Sequence, residues 1–118
     1  MTRAAYAAPA PQPVDIVFRA LSDPTRRRVL ERLSRSPASV TELAAPFKMA
    51  LPSFVQHLRM LEGCGLVRSN KTGRVRTYSV VPRRMRVAED WLTKQRTLWE
   101  QRLDQLDEYL INLYEERK

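Results

Sequence analysis

Ser53, Gln56 and Arg59 recur every third residue in the stretch SFVQHLR. On a helix that spacing puts all three on one face. A hydroxyl, a carboxamide and a guanidinium in a row contain no nucleophile–base pair. They do suit the edges of bases: a glutamine amide pairs two-pronged with adenine, arginine with guanine or a phosphate, and serine with either. Val55 lies between them, where it could touch a thymine methyl but form no hydrogen bond. His57, the only histidine, flanks the apolar side of the same helix, where it would pack or meet a phosphate. Further on, Lys71, Thr72, Gly73 and Arg74 form a turn-like run carrying two cations, with Arg68 and Arg76 on either side. These residues are the candidate contacts to DNA: Ser53, Val55, Gln56, His57 and Arg59 on a helix, and Arg68, Lys71, Thr72, Arg74 and Arg76 on a hairpin.

Other chemistries find little support. No glycine-rich phosphate loop is present, and one histidine with one cysteine gives no set from which a catalytic triad or dyad could be assembled. Neither an enzyme nor a cofactor is expected. Cys64 has no partner cysteine for an intramolecular disulfide, which fits a reducing cytoplasm. A redox role for Cys64 is disfavoured by its place at a helix C-terminus, where a thiolate is not stabilised. No run of about 18 apolar residues predicts a membrane span. The opening MTRAAYAAPAPQPV lacks the apolar core of a secretory signal.

The charge is unevenly spread. Residues 1–84 hold fifteen Lys/Arg against five Asp/Glu, a balance of +10, whereas residues 85–118 hold six against eight, a balance of −2. A basic body with a slightly acidic C-terminal segment fits a polyanion that touches the body alone.

These side chains need a frame, and 118 residues suggest one domain. Residues 1–13, rich in Ala and Pro, read as a disordered tail. VDIVFRAL places Val14, Val17, Phe18 and Leu21 at helical spacing. In SDPTRRRVLERL, Asp23 is a good N-cap and Pro24 suits the first helical position. A short strand-like piece and a short helix follow, begun either by a Ser39–Glu42 capping box or by Thr41 as N-cap. A helix over about Leu51–Cys64 would bury Leu51, Phe54, Leu58 and Leu61 and stop at Gly65. Two strands, LVRSN and RTYSV, surround the KTG turn. From Met85 a helical apolar pattern runs on for roughly 30 residues, longer than a small domain needs for its own core. Its Trp91, Leu92, Leu98, Trp99, Leu103, Leu106 and Leu110, joined by Val14, Val17, Phe18 and Leu21, form the candidate homodimer interface. Trp91, Trp99, Tyr109 and Tyr114 could instead line a ligand pocket, but at helical spacing they read as dimer core.

The expected fold is mainly α with a small β-hairpin: a winged helix-turn-helix over residues 14–84 and a long dimerisation helix over 85–118. The competing reading is a protein-binding adaptor of the same fold acting through that long helix.

VFRALSDPTRRRVLERL (Val17–Leu33) and SVTELAAPFKMALPSFVQHLRMLEGCGLVRSNKTGRVRTYSV (Ser39–Val80) together resemble the ArsR-type winged-helix repressors, over residues about 14–113. The resemblance implies a homodimer built from the first and last helices, bound to an inverted-repeat operator in double-stranded DNA near a promoter. It places the recognition helix at Leu51–Cys64 and the wing at Leu66–Val80. Metal-sensing relatives carry a Cys-x-Cys pair where this chain reads TELAAPF, or histidine ligands on the last helix, where it has none. The chain is thus similar to the branch without metal ligands, and no metal is expected. Any small-molecule inducer stays unknown. Two positions depart from the family: Ala50 replaces a helix-capping serine, and Val55 replaces a serine that meets DNA.

Overall fold

A computed structural model of the chain describes residue 10 and residues 12–117. The expected disordered tail falls outside the described residues except for its last positions, and Pro13 already opens the first helix. Five helices and three short strands follow in the order α1 (Pro13–Leu21), α2 (Pro24–Leu33), β1 (Ala38–Ser39), α3 (Val40–Ala44), α4 (Leu51–Gly63), β2 (Val67–Thr72), β3 (Val75–Val80) and α5 (Pro82–Glu116). This is a winged helix-turn-helix with a long C-terminal helix, as the sequence predicts. The sheet has one strand more than a hairpin: β1 pairs antiparallel with β3, giving the order β1-β3-β2.

Local chemistry sets the boundaries. The Asp23 carboxylate accepts from the Arg26 backbone N–H at 3.0 Å, and Pro24 fills the next position, where its missing N–H costs nothing. Ser39 and Glu42, not Thr41, cap α3: the Ser39 hydroxyl accepts from Glu42 N–H at 3.2 Å, while the Glu42 carboxylate accepts from Ser39 N–H at 3.3 Å. Helix α4 begins at Ala50 without any side-chain cap. It ends in a Schellman turn, with Gly65 N–H donating to Glu62 O and Leu66 N–H to Leu61 O, both at 3.1 Å. The turn needs the left-handed φ of +82° that Gly65 adopts.

Val17, Val29, Leu43, Phe54, Leu58, Leu61 and Leu66 meet in one core beneath α4. Helix α5 leaves it. Of its 35 residues only Ala88 is fully buried. At 1.5 Å per residue it spans about 52 Å. The radius of gyration is 21.7 Å, against roughly 13–14 Å for a compact chain of this length. Its first turns dock on the body, with Ala88 in the core and Met85 against it, and the rest of the helix projects beyond.

Candidate nucleic-acid interface

Helix α4 is anchored by its back, through Phe54, Leu58 and Leu61, and held along both flanks. On one flank, His57 Nδ1 lies 3.0 Å from Nη1 of Arg26 and 3.8 Å from Oδ2 of Asp23. A guanidinium only donates, so in that bond Nδ1 accepts and Nε2 carries the ring proton. Arg26 also donates through Nε to Ala20 O at 2.8 Å and through Nη2 to Arg19 O at 3.1 Å. It thereby links the end of α1, the start of α2 and the middle of α4. Burial raises the Asp23 carboxyl pKa, but the Arg26 backbone N–H, then the neighbouring His57 and Arg26 side chains, and the Thr25 N–H outweigh it and hold the group below its ordinary value.

On the other flank, Glu62 accepts from the Ser69 hydroxyl at 2.7 Å, and Ser69 accepts from Arg76 Nη1 at 2.8 Å. This relay ties the wing to α4. Lys71 and Arg76 are directly paired in the β2–β3 register, an unfavourable placing of like charges. The turn of Arg76 toward Ser69 and Glu62 relieves it. Gly73 and Arg74 make the two-residue turn. Only Gly73 has positive φ (+64°), the mark of a II′ hairpin, so Arg74 sits at the very tip.

The structure sorts the expected DNA contacts. Ser53, Gln56 and Arg59 are exposed on the front of α4, and Val55 is half-buried beside them. Lys71, Thr72 and Arg74 are exposed at the wing tip. His57 is part-buried and engaged with α2 through Nδ1, which faces Asp23 and Arg26. Arg76 is exposed but committed in part to the Ser69–Glu62 relay. Strand alternation puts Arg68 on the opposite sheet face from Val67, Ser69 and Lys71. It lines a cleft with Val67, Arg83 and Arg84, which neither Gln56 nor Arg59 lines. Leu51 does not anchor the back: it is 56% exposed and shares a shallow groove with Pro52, Val55, Gln56 and Arg59. As the first residue of α4 it lies beyond the reach of the core that buries Phe54 one turn later.

The expected dimer residues also divide. Val17, 0% exposed, belongs to the protomer's own core, and Val14 is 8% exposed, so the one offers no surface to a partner and the other little. Phe18 and Leu21 are half-buried, and the Phe18 ring stands edge-on to Trp91, centroids 5.5 Å apart. Trp91, Leu92, Leu98, Trp99, Leu103, Leu106 and Leu110 are all exposed, Trp99 most at 71%. Ile16, Tyr109, Ile111 and Tyr114 are exposed as well. Leu98, Trp99, Leu103 and Leu106 line an open concavity of about 540 Å³ with Gln95 and Arg102.

Sequence reasoning missed the Arg26–His57 bond, the Glu62–Ser69–Arg76 relay and a third link. Arg84, in the first turn of α5, donates from Nε to Cys64 O at 3.1 Å, joining the C-terminus of α4 to the long helix. Nothing in the local pattern around Arg84 announces a partner twenty residues earlier. Among the described residues no three of His, Cys, Asp and Glu are grouped as a metal site would require, and no helix is long and apolar enough to cross a membrane.

Comparison with known proteins agrees with this geometry. A helix-turn-helix domain family matches residues 21–70, from the end of α1 into β2. The HTH-type transcriptional regulator Rv2034 of Mycobacterium tuberculosis is 38% identical over 68 residues, a match spanning 58% of this chain and 64% of that protein, slightly under two thirds of its length. The transcriptional repressor SdpR of Bacillus subtilis is 29% identical over 76 residues, covering 64% of this chain and 84% of that one. Among solved structures, the ArsR family transcriptional regulator RHA00566 is 52% identical, superposes with a TM-score of 0.73, and is matched over 98% of its length by 75% of this chain.

Proposed function

The chain belongs to the ArsR family of winged helix-turn-helix transcriptional regulators, and we propose that it acts in the cytoplasm as a homodimeric repressor of an inverted-repeat operator, without a metal ligand. One observation carries the reading: the front of α4 offers Ser53, Gln56 and Arg59 exposed to solvent, while both flanks of the same helix are locked to α2 and to the wing. A helix held rigidly with polar side chains outward is what insertion into a major groove demands. The wing then carries Lys71 and Arg74 to the adjacent backbone or minor groove. The exposed stripe on α5 is the surface through which a second copy doubles the recognition unit, and the two-fold axis of the dimer is mirrored in the repeat. Repression follows when the bound dimer excludes the transcription machinery from an overlapping promoter.

Gln56 is the residue placed to read a base, through a two-pronged bond to adenine. The Gln56→Ala variant is expected to lose about 1–3 kcal/mol on a selected operator and much less on scrambled DNA, measured by fluorescence anisotropy at one fixed salt. Equal losses on both duplexes would remove Gln56 from base reading. The adaptor alternative draws on the same exposed α5 stripe, and it predicts no salt-dependent binding to any duplex.

A further inference from the structure

The outward part of α4 is not uniformly polar. Leu51, Pro52 and Val55 form an apolar shelf beside Gln56 and Arg59, around a shallow groove of about 340 Å³. Leu51 is 56% exposed, and Met49, 36% exposed, lies just before it. These side chains form no hydrogen bond to a base or a phosphate. The only apolar group on the major-groove edge of any base pair is the C5-methyl of thymine. We propose that the Leu51–Val55 shelf reads thymine methyls, so that the operator carries thymine at the positions facing the start of α4, next to the base read by Gln56.

Three observations favour this occupant over a protein surface. The shelf is at the N-terminal end of the helix, the part of a recognition helix that meets base edges. It is continuous with Gln56 and Arg59, which line the same groove and are suited to a polar, anionic neighbour. Most of the exposed large apolar side chains lie elsewhere, along α5. The inference rests on the DNA reading proposed above and adds to it a chemical specificity: discrimination by a methyl group instead of by hydrogen bonds.

The test removes the methyl and nothing else. A duplex selected by the protein from a random pool is resynthesised with deoxyuridine in place of each thymine in turn, and affinities are measured at fixed salt. Burial of one methyl is worth about fourfold in affinity, so at one or two positions per half-site a three- to fivefold loss is expected. Leu51→Ala, a benign change at an exposed first helical position, should bind thymine and deoxyuridine duplexes alike. If every deoxyuridine duplex binds as tightly as the parent, the inference falls while sequence-specific binding stands. If the loss persists undiminished in both Leu51→Ala and Val55→Ala, the methyl acts through DNA shape and the shelf is not its reader. If no selected duplex binds better than a scrambled one, both the DNA reading and the inference fail.

Discussion

Nη1 of Arg26 lies 3.0 Å from Nδ1 of His57, across 31 positions of sequence. That bond fastens the flank of α4 to the first turn of α2, and Arg26 carries the connection on to the α1 carbonyls of Ala20 and Arg19. The His57→Ala variant should therefore lose about 1 kcal/mol of stability. The loss should appear as a fall of several degrees in Tm by thermal denaturation. A phosphate-contacting His57 would instead leave Tm unchanged and lower DNA affinity alone.

Asp23 shares this junction, and its carboxyl pKa is lowered in the folded protein. A group with a depressed folded pKa binds fewer protons folded than unfolded. Its stabilisation is therefore present above the unfolded value, about pH 4, and is lost as pH falls through the folded value. Asp23→Asn keeps a competent N-cap but removes the charge. Urea denaturation at neutral pH should show the Asp23→Asn variant to be less stable than the parent, with the difference shrinking below about pH 4. A difference that stays constant with pH would mean that the charge of Asp23 contributes nothing.

Much of this architecture can be read from the chain, and the failures have physical reasons. Asp23 with Pro24, and Gly65 after an apolar-periodic run, announce their helix ends because capping is local chemistry. The choice between Ser39 and Thr41 stayed open because both hydroxyls lie within one turn of the helix start, and only the Glu42 geometry decides. Leu51 has the periodicity of the buried face but sits where the helix overhangs its support. Val17 and Phe18 belong to one apolar run, and no pattern tells whether such a run is covered by the protomer's own core or by a partner. Bonds from His57 to Arg26 and from Arg84 to Cys64 are tertiary, made by chain segments that no local window brings together.

Two glycines near the end of α4 offer opposite responses to one substitution. Gly65 adopts φ +82°, and a Cβ there would come within 3.0 Å of Arg84 Nε. Gly65→Ala should destabilise by more than about 1 kcal/mol and disturb the Arg84–Cys64 bond. Gly63 is helical, and a Cβ on it meets nothing within 4 Å. Gly63→Ala should stabilise by up to about 1 kcal/mol. Chemical denaturation of the pair tests the Schellman turn, and equal effects would refute it.

Along α5 the exposed Leu98, Trp99, Leu103 and Leu106 make an apolar surface whose burial against a second copy underlies the proposed dimer. Trp99→Glu places a charge in the middle of that surface while touching nothing in the protomer core. Sedimentation at micromolar concentration should show a dimer for the parent chain and a monomer for the variant, with unchanged helical content. Operator affinity should fall steeply, because each half-site would then be bound alone. A parent chain that sediments as a monomer removes the dimer from the proposal.

The wing makes the sharpest electrostatic distinction, because its three arginines occupy three different situations. Arg74 is at the tip of the Gly73–Arg74 turn, exposed. Arg76 is bonded to Ser69 and through it to Glu62. Arg68 alternates to the other face of β2 from Ser69 and Lys71 and lines a cleft with Val67, Arg83 and Arg84. Each phosphate neutralised adds about −0.9 to the slope of log affinity against log salt. A dimer with both tips on the backbone should lose about 1.8 from that slope when Arg74 becomes alanine, with similar losses of affinity on operator and scrambled DNA. Arg68→Ala should leave the slope unchanged. Arg76→Ala should change it less than Arg74→Ala and should also loosen the wing, since the Ser69–Glu62 pair loses its cation. Anisotropy titrations over a range of salt separate these cases. A slope that falls for Arg68 and not for Arg74 would turn the wing over on the DNA, with the outer sheet face and the start of α5 toward the phosphates.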